Sequence, residues 1–455
     1  MYYNIQTIPL TDLAQTFGPI KSFKFDTDKD IHAIFGKNNI GKSYAISAVY
    51  LILKGLKNIE VNTQNYQLLN SEITLVIGFN EDNSAINKYD SGIINYLNGT
   101  FIKELNKSFG NTFDRRMYKN YKGNNSPIIK IQFKNHKIEI EYSTHLIEFK
   151  VVSVEFGSYI KLSEINEPHE FKIFGKNDEL LESTNLFYYS VVYSVMYAHL
   201  HYFVKIINIE LSYIYYLPAS RSGLYNTLNS FGAIFAEISR NRHLLSSEFK
   251  IPNLSEPISD YFLNLNNIET DNVSNSYMKN YEPFEKHILK GKIVFDNETK
   301  KYFYTPYNTN ISIELSFTSS MISEIAPIIA HLKYIIPLDS KISSILFIEE
   351  PEAHLHPEIQ ILLLEYFVKL SKGNLKIVMT SHSNYIFNKL SNLLIAKEIS
   401  PDRLSVSLMK MTPEGSVVEE GDMQMDEYGI EDNNFVDVAE QLYEERMQLL
   451  ENINS

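Results

Sequence analysis

Two stretches decide the fold of this chain: HAIFGKNNIGKSYAISAVYL at residues 32–51 and SILFIEEPEAHLHPEIQILL at residues 344–363. Each begins with a short apolar run that is typical of a buried strand. In the first stretch, residues 36–43 match the pattern G-x-x-x-x-G-K-[ST], and apolar residues at helical spacing follow it. A strand, a glycine-rich loop and a helix in this order predict a phosphate-binding site.

The residues of this loop have predictable roles. The backbone N–H groups that would approach the phosphates belong to Gly36, Asn38, Asn39 and Gly41. The helix that follows would add the positive end of its dipole. We expect Lys42 to reach the β- and γ-phosphates, and the hydroxyl of Ser43 to bind Mg²⁺.

The second stretch ends its apolar run in two carboxylates, Glu349 and Glu350. One carboxylate at the end of a strand can bind magnesium while its neighbour polarises an attacking water. The alternative is a strand that simply runs into a charged loop. A third β-like run, residues 377–380, ends next to His382, so a parallel neighbour would bring this histidine beside the two glutamates and near the γ-phosphate.

Composition narrows the class of protein. Hydrophobic residues make up 44% of the 455 residues, enough for a sizeable core, and no Cys is present. Disulfides and cysteine-based zinc sites are therefore excluded, and we expect a reducing, cytoplasmic setting. The first residues lack a basic stretch followed by an apolar core, so no signal peptide is expected. Residues 183–204 lack Asp, Glu, Lys and Arg but are rich in Tyr, Ser and His, which favours a buried or interface helix over a membrane span.

The charge is unevenly distributed. The net charge of −13 argues against a general nucleic-acid binder. Residues 411–455 hold thirteen acidic residues and one basic residue, Arg446, so the remaining 410 residues sum to only −1. A nearly neutral body leaves contact with DNA open. The acidic tail is either a solvated surface, which we favour, or a docking segment for a basic partner.

The motifs occur in the order phosphate loop, long interval, FIEEPEAHLHPEIQ at 347–360 and VMTSHS at 378–383. This order resembles that of ABC-type ATPases in the RecF/Rad50/SMC-like and OLD-like group, which includes ATPases of the Septu and PARIS anti-phage systems. The resemblance covers most of residues 1–410. It implies an α/β fold, namely an ABC-type P-loop NTPase head with a mixed sheet, an antiparallel β-rich lobe and a helical insertion. It also implies ATP and Mg²⁺ as cofactors.

The resemblance assigns roles to individual residues. Glu349 falls at the magnesium-binding acid, where the family usually has Asp, Glu350 at the catalytic glutamate and His382 at the switch histidine. IYYLPASRSGL at 214–224 stands at the place of the Q-loop. Arg221 is the candidate phosphate contact there, because a guanidinium binds phosphate through two hydrogen bonds, although an arginine on an ordinary turn remains the alternative.

ELSFTSSMISEIAPIIAHL at 314–332 stands where the family has its signature motif. Ser319 and Ser320 precede a helical pattern, so they would face the γ-phosphate bound by another subunit. Besides Glu349, three positions depart from the family pattern: Met321 in the signature, His356 in the segment after the glutamate pair, and Tyr44 after the phosphate loop.

We expect four divisions of the chain. These are an ATPase lobe I with the phosphate loop and a β-rich insertion (1–221), a helical and hairpin insertion (222–310), an ATPase lobe II (311–410) and an acidic tail with a docking helix (411–455). Within them, we expect short strands across residues 70–175, helices broken at Pro252 and Pro257, and a hairpin at 291–306. The helical insertion has no sustained heptads, so a long coiled coil is not expected.

The favoured hypothesis is a regulatory ATPase that forms a head-to-tail homodimer or larger homo-oligomer and controls a separate nuclease or toxin in anti-phage defence. DNA or a phage-derived molecule would be its trigger. We expect no nuclease activity of its own, because too few residues follow the TSHS motif for a nuclease domain. Nothing in the sequence suggests a membrane partner, and we expect none. The alternative is a RecF-like DNA-repair ATPase that binds duplex DNA, and the motor of an ABC transporter is a weaker third.

Overall fold

The computed structural model describes the chain in a series of segments. Those segments are residues 19–59, 90–113, 128–133, 136–143, 148–155, 158–162, 169–175, 180–186, 200–201, 204–205, 212–227, 254–266, 268, 282–337, 343–413, 415–418, 425–426, 428–430 and 443–450.

The strands are numbered in chain order. They are β1 Ile20–Ser22, β2 Ile31–Gly36, β3 Ile128–Phe133, β4 His136–Ser143, β5 Glu148–Glu155, β6 Ser158–Leu162, β7 His169–Gly175, β8 Leu180–Leu186, β9 Tyr213–Leu217, β10 Gly291–Asp296, β11 Lys301–Pro306, β12 Ile313–Glu314, β13 Ser344–Glu349, β14 Leu375–Ser381, β15 Leu404–Thr412, β16 Gly415–Val418, β17 Met425–Asp426 and β18 Gly429–Ile430.

The helices are numbered in the same way. They are α1 Lys42–Lys57, α2 Asp90–Leu97, α3 Lys103–Thr112, α4 Glu256–Asn266, α5 Ser320–Ala330, α6 Pro357–Ser371 and α7 Asn384–Ile395. The described segments also contain π-helical stretches at Asn98–Ile102, Phe284–Leu289 and His331–Ile335, and 3₁₀ turns at Leu315–Phe317 and Pro401–Arg403. Residues 221–227 and 443–450 are also helical.

A seven-stranded sheet organises the described part of the chain, with the strand order β1-β16-β15-β2-β14-β13-β9. Every neighbouring pair in it is parallel except β15 and β16, so the sheet is mixed, as the resemblance implied. β15 runs across the predicted boundary between lobe II, which ends at residue 410, and the tail, which starts at residue 411. The seven strands come from both predicted ATPase lobes and, with β16, from the predicted tail, so these divisions share one sheet.

The sheet is buried on both faces. Side chains along a strand point alternately to opposite faces. In β13, Ile345 and Phe347 pack in one hydrophobic cluster with α1, while Leu346 and Ile348 pack in a second cluster with α5, α6 and α7. A continuous apolar run such as ILFI is typical of a parallel strand covered by helices on both sides.

The predicted β-rich region is confirmed in part. β3–β5 and β6–β8 form two three-stranded antiparallel sheets. The prediction of strands across 70–175 is wrong for Asp90–Leu97 and Lys103–Thr112, which are helices. Their apolar residues recur at helical spacing, and Ile93, Leu97 and Leu105 are fully buried.

The prediction of a helix across 183–204 is wrong at its start, because residues 183–186 belong to strand β8. Residues 200–201 and 204–205 are helical, and Leu200 and Val204 are buried. The residues between 187 and 199 lie outside the described part. Among the described residues, no helix has the length and apolar character needed to cross a membrane.

The remaining elements of the insertion largely follow the sequence. β10 and β11 pair in register as the predicted antiparallel hairpin. Pro257 lies in the first turn of α4 and does not break a helix there, because the first turn of a helix tolerates proline. Pro252 lies outside the described residues. The described end of the predicted docking helix, residues 443–450, is helical and exposed.

Candidate functional site

The ends of three parallel strands bring the predicted residues together. In the register of the sheet, Glu349 at the end of β13 lies opposite Thr380 of β14. Ser381 at the end of β14 lies opposite Phe35 of β2, one residue before the phosphate loop. Parallel strands end at the same edge, so the loop, the glutamate pair and His382 share one edge of the sheet.

The phosphate loop has a backbone that only glycine adopts easily at two places. Gly36 has a φ of 144°, and a Cβ atom there would lie 2.6 Å from the carbonyl oxygen of Met409. Gly41 has a φ of 93° and directly precedes α1. Asn39 has a φ of 62°, a left-handed conformation that asparagine tolerates better than most residues. Asn38 and Asn39 are both exposed at the tip of the loop.

Lys42 lies inside the curve of the loop and is 5% exposed. Its ammonium donates to the carbonyl oxygens of Gly36 and Lys37, each at 2.9 Å. The Nε2 atom of His382 lies 2.8 Å from the same nitrogen. Burial lowers the pKa of Lys42 to about 8, against the opposing effect of Glu350 and Glu352.

Glu349 is oriented from the neighbouring strand β9. The hydroxyl of Tyr216 donates to Oε1 of Glu349 at 2.5 Å and lies 2.8 Å from Oγ of Ser47. Burial raises the pKa of Glu349, while hydrogen bonds from Ser43 and Tyr216 oppose the rise. The exposed hydroxyl of Ser43 and the carboxylate of Glu349 thus lie side by side. Two hard oxygen donors at one point fit a magnesium ion, which is held by few protein ligands and keeps several waters.

Glu350 has a left-handed backbone with a φ of 41°. Such a conformation costs on the order of 1–3 kcal/mol in a residue with a side chain and persists only where the surroundings hold it. Its N–H donates to the carbonyl oxygen of Thr380 at 3.1 Å. Its Oε1 atom lies 3.4 Å from Nε2 of His382. Burial lowers the pKa of His382, and nearby Lys42 lowers it further, which favours a neutral ring.

Glu352 belongs to the site, and the sequence reasoning missed it. The side chain is 9% exposed, and Oε1 accepts hydrogen bonds from Oγ of Ser381 at 2.7 Å and from the backbone N–H of His382 at 2.8 Å. Burial raises the pKa of Glu352. The other oxygen, Oε2, is buried and has no hydrogen-bond partner among the described residues. The only signal in the sequence was a third glutamate within four residues.

Arg221 was predicted to contact phosphate, but in the structure its side chain points into the core and not toward the phosphate loop. The side chain is fully buried. Nη1 donates to the carbonyl oxygen of Glu349 at 2.7 Å, and Nη2 donates to that of Glu350 at 3.2 Å. The guanidinium therefore holds the backbone of Glu349 and Glu350 at the end of β13.

The segment predicted to act as the signature lies at the start of α5. Ser319 is the residue before the helix and Ser320 its first residue, and both are exposed. Met321 is partly buried and packs against the second hydrophobic cluster. Two residues before Ser319, the side chain of Phe317 is 79% exposed.

The match to a protein family agrees with the motifs. The model of the AAA ATPase domain family matches residues 15–387. No curated protein matches the chain.

The matching solved structures include heads of Smc proteins. A crystal structure of an Smc head bound to the C-winged helix domain of ScpA has 9% identity and a TM-score of 0.37, and the match covers 90% of this chain and 96% of that one. An Smc head with an extended coiled coil, bound to the C-terminal domain of ScpA from Pyrococcus furiosus, has 10% identity and a TM-score of 0.36, with 99% and 100% covered. The SMC head from Thermotoga maritima has 9% identity and a TM-score of 0.33, with 91% and 98% covered.

Proposed function

The chain belongs to the AAA ATPase domain family, and from that premise we propose that it binds ATP with Mg²⁺ and hydrolyses it to ADP and phosphate. The observation that carries the proposal is that the phosphate loop, the glutamate pair and His382 lie together at one edge of the sheet. There the ammonium of Lys42 lies 2.8 Å from the ring of His382, whose Nε2 lies 3.4 Å from the carboxylate of Glu350. The site therefore combines a cation for phosphate, a candidate base and a ring nitrogen.

The chemistry assigned to these residues follows from their positions. Lys42 neutralises charge on the β- and γ-phosphates. Glu350 accepts a proton from the attacking water, whose oxygen bonds to the γ-phosphorus while the bond to the β–γ bridging oxygen breaks. His382 contacts the γ-phosphate and fixes the direction of attack. Ser43 and Glu349 are the residues that would hold Mg²⁺, and a bound ion would supply further positive charge to the phosphates.

The exposed start of α5 supports a head-to-tail assembly. Ser319 and Ser320 offer hydroxyls and the positive end of a helix dipole at the surface, which suits an anionic phosphate. In the proposed homodimer or larger homo-oligomer, these residues of one copy complete the site of the next copy. We continue to assign Gly36, Asn38, Asn39 and Gly41 to contacts with the phosphates.

ATP binding and turnover of two variants test the core of the proposal. We expect Lys42→Ala to abolish ATP binding, because the buried cation of the loop is lost. Glu350→Gln should bind ATP normally and lower turnover by about 10²–10⁴-fold, because the amide cannot accept the proton. Unchanged turnover in Glu350→Gln would remove the catalytic assignment.

The cellular role rests on the resemblance of the motifs to those of anti-phage ATPases. On this basis the ATPase controls a separate nuclease or toxin. A strain that carries this gene with its neighbouring genes should resist phage, and Lys42→Ala should remove the resistance. Resistance that survives Lys42→Ala would contradict control by ATP. Tight binding of the pure chain to duplex DNA ends would instead support the RecF-like alternative.

A further inference from the structure

Arg221 touches two elements that the proposed mechanism needs to coordinate. On one side its Nη1 and Nη2 atoms donate to the carbonyl oxygens of Glu349 and Glu350. On the other side Nε donates to the carbonyl oxygen of Glu324 in α5 at 3.2 Å. A single guanidinium therefore joins the end of β13 to α5.

The contact with α5 includes a buried ion pair. Glu324 is 1% exposed, and its Oε2 lies 3.5 Å from Nη2 of Arg221. Its Oε1 accepts hydrogen bonds from the hydroxyl of Ser222 at 2.5 Å and from the backbone N–H of Ser222 at 3.3 Å. Both charges lie in the core, where an unpaired charge is costly. The two side chains are thus constrained to move together.

The position of Glu324 along α5 gives this pair its significance. It lies four residues after Ser320, which places it about one helical turn from the exposed start of the helix. A short chain of contacts therefore runs from the surface at Ser320, through Glu324 and Arg221, to the backbone of Glu350. That backbone has a strained φ of 41°, so its conformation depends on the groups that hold it.

We propose that Arg221 is a positioning residue that couples the start of α5 to the catalytic carboxylates. Contact of a second copy with Ser320 is transmitted through the Arg221–Glu324 pair and sets the backbone of Glu350 for hydrolysis. This inference rests on the proposed function, because it concerns the regulation of the same ATP site. Arginine suits the task because its planar fork donates to several acceptors at fixed angles, which the point charge of lysine does not.

The test uses Arg221→Lys and Glu324→Gln in the full chain. Arg221→Lys keeps a positive charge but loses the simultaneous grip on the two carbonyl oxygens. Glu324→Gln keeps an acceptor for Ser222 but loses the ion pair. For both variants we expect turnover at saturating ATP and high chain concentration to fall about tenfold or more. The dissociation constant for ATP should stay within about twofold, because neither side chain faces the phosphate loop.

Glu285→Gln is the matched control. Glu285 is a buried glutamate 3.0 Å from the ammonium of Lys333, and it accepts a hydrogen bond from the backbone N–H of Ile293 at 3.0 Å. Like Glu324→Gln, the Glu285→Gln variant therefore loses a buried ion pair, but at a place away from the ATP site. We expect Glu285→Gln to lower the melting temperature and to keep wild-type turnover.

Three results would overturn the inference. They are wild-type turnover in folded Arg221→Lys and Glu324→Gln, an equal loss of turnover in Glu285→Gln, or a loss of ATP affinity in proportion to turnover. A wild-type chain that binds and hydrolyses no ATP would overturn the proposed function itself, and this inference with it. The wild-type arm therefore separates the two failures.

Discussion

Two parts of the proposed ATP site differ in how many of their contacts lie within one chain. The first is the strand edge, the edge of the sheet where β2, β13 and β14 end, and the second is the start of α5. At the edge, Lys42 is 5% exposed, whereas Phe317, three residues before α5, is 79% exposed. At the edge, Tyr216 donates to the carboxylate of Glu349, Glu352 accepts from the backbone N–H of His382, and Arg221 donates to the backbone carbonyl of Glu349. Ser319, in contrast, makes no side-chain hydrogen bond to the start of its helix. The edge is thus prepared for phosphate within one chain, and the start of α5 is the part that a second copy would use.

Substitution of Ser320 is the strongest test of this difference. Ser320→Arg should leave the fold and the ATP affinity of a single chain intact, because the residue is exposed and not part of the strand edge. In the assembly, the substitution would remove the hydroxyl of Ser320 and place a large side chain where the phosphate of the neighbouring copy should lie. We expect turnover to fall about 100-fold or more at every chain concentration.

Ser400→Arg provides the control, because Ser400 is also exposed and precedes a short helical turn, Pro401–Arg403. It should keep wild-type turnover, which should rise with chain concentration. A wild-type monomer with full activity at all concentrations would break the comparison, since its site would then need nothing from a neighbour.

Glu352 offers a smaller test on the strand edge. Its Oε1 atom accepts from Ser381 and from the N–H of His382, so it fixes where the histidine leaves β14. Glu352→Ala should lower turnover about tenfold with ATP affinity retained, because small misplacements of catalytic groups are costly. Glu352→Gln keeps an acceptor oxygen and should restore most of the turnover. Equal turnover in the alanine and glutamine variants would show that these hydrogen bonds do not orient His382.

The same contrast explains what the sequence could predict. Lys42, Glu349 and His382 each follow an apolar run, and the rule that parallel strands end at one edge was enough to bring them together. These predictions needed only the local sequence pattern and the rule that parallel strands end at one edge of a sheet. The hairpin of β10 and β11 followed from the same kind of local pattern, whereas the mixed sheet was implied by the resemblance to ABC-type ATPases.

The roles of Arg221 and Glu352 could not be read in that way. Whether Arg221 faces phosphate or the core depends on Glu324, which lies 103 residues away along the chain. The partners of Glu352 come from another strand, and a glutamate in a charged loop is ordinarily solvated. The helix at Lys103–Thr112 was missed because turn-forming residues on both sides suggested strands, while burial of Leu105 and Phe109 is set by tertiary packing.

The smallest expected effect is the dependence of ATP binding on pH. Burial lowers the pKa of Lys42 to about 8, and bound phosphate should raise it because the ammonium is then paired with negative charge. ATP therefore binds most tightly below pH 8, where Lys42 is already charged. Between pH 8 and pH 9, binding must also supply a proton to the lysine, and we expect the affinity to fall by up to about tenfold.

Lys42→Arg separates this cause from other titrations, because a guanidinium stays charged throughout the range. Its affinity for ATP should be lower than that of the wild type, since the wider group fits the curve of the loop less well, but it should not change between pH 8 and pH 9. Binding titrations of both proteins at constant ionic strength measure the two slopes. If ATP affinity falls equally with pH in the wild type and in Lys42→Arg, another group causes the pH dependence. Burial of Lys42 would then not lower its pKa into this pH range.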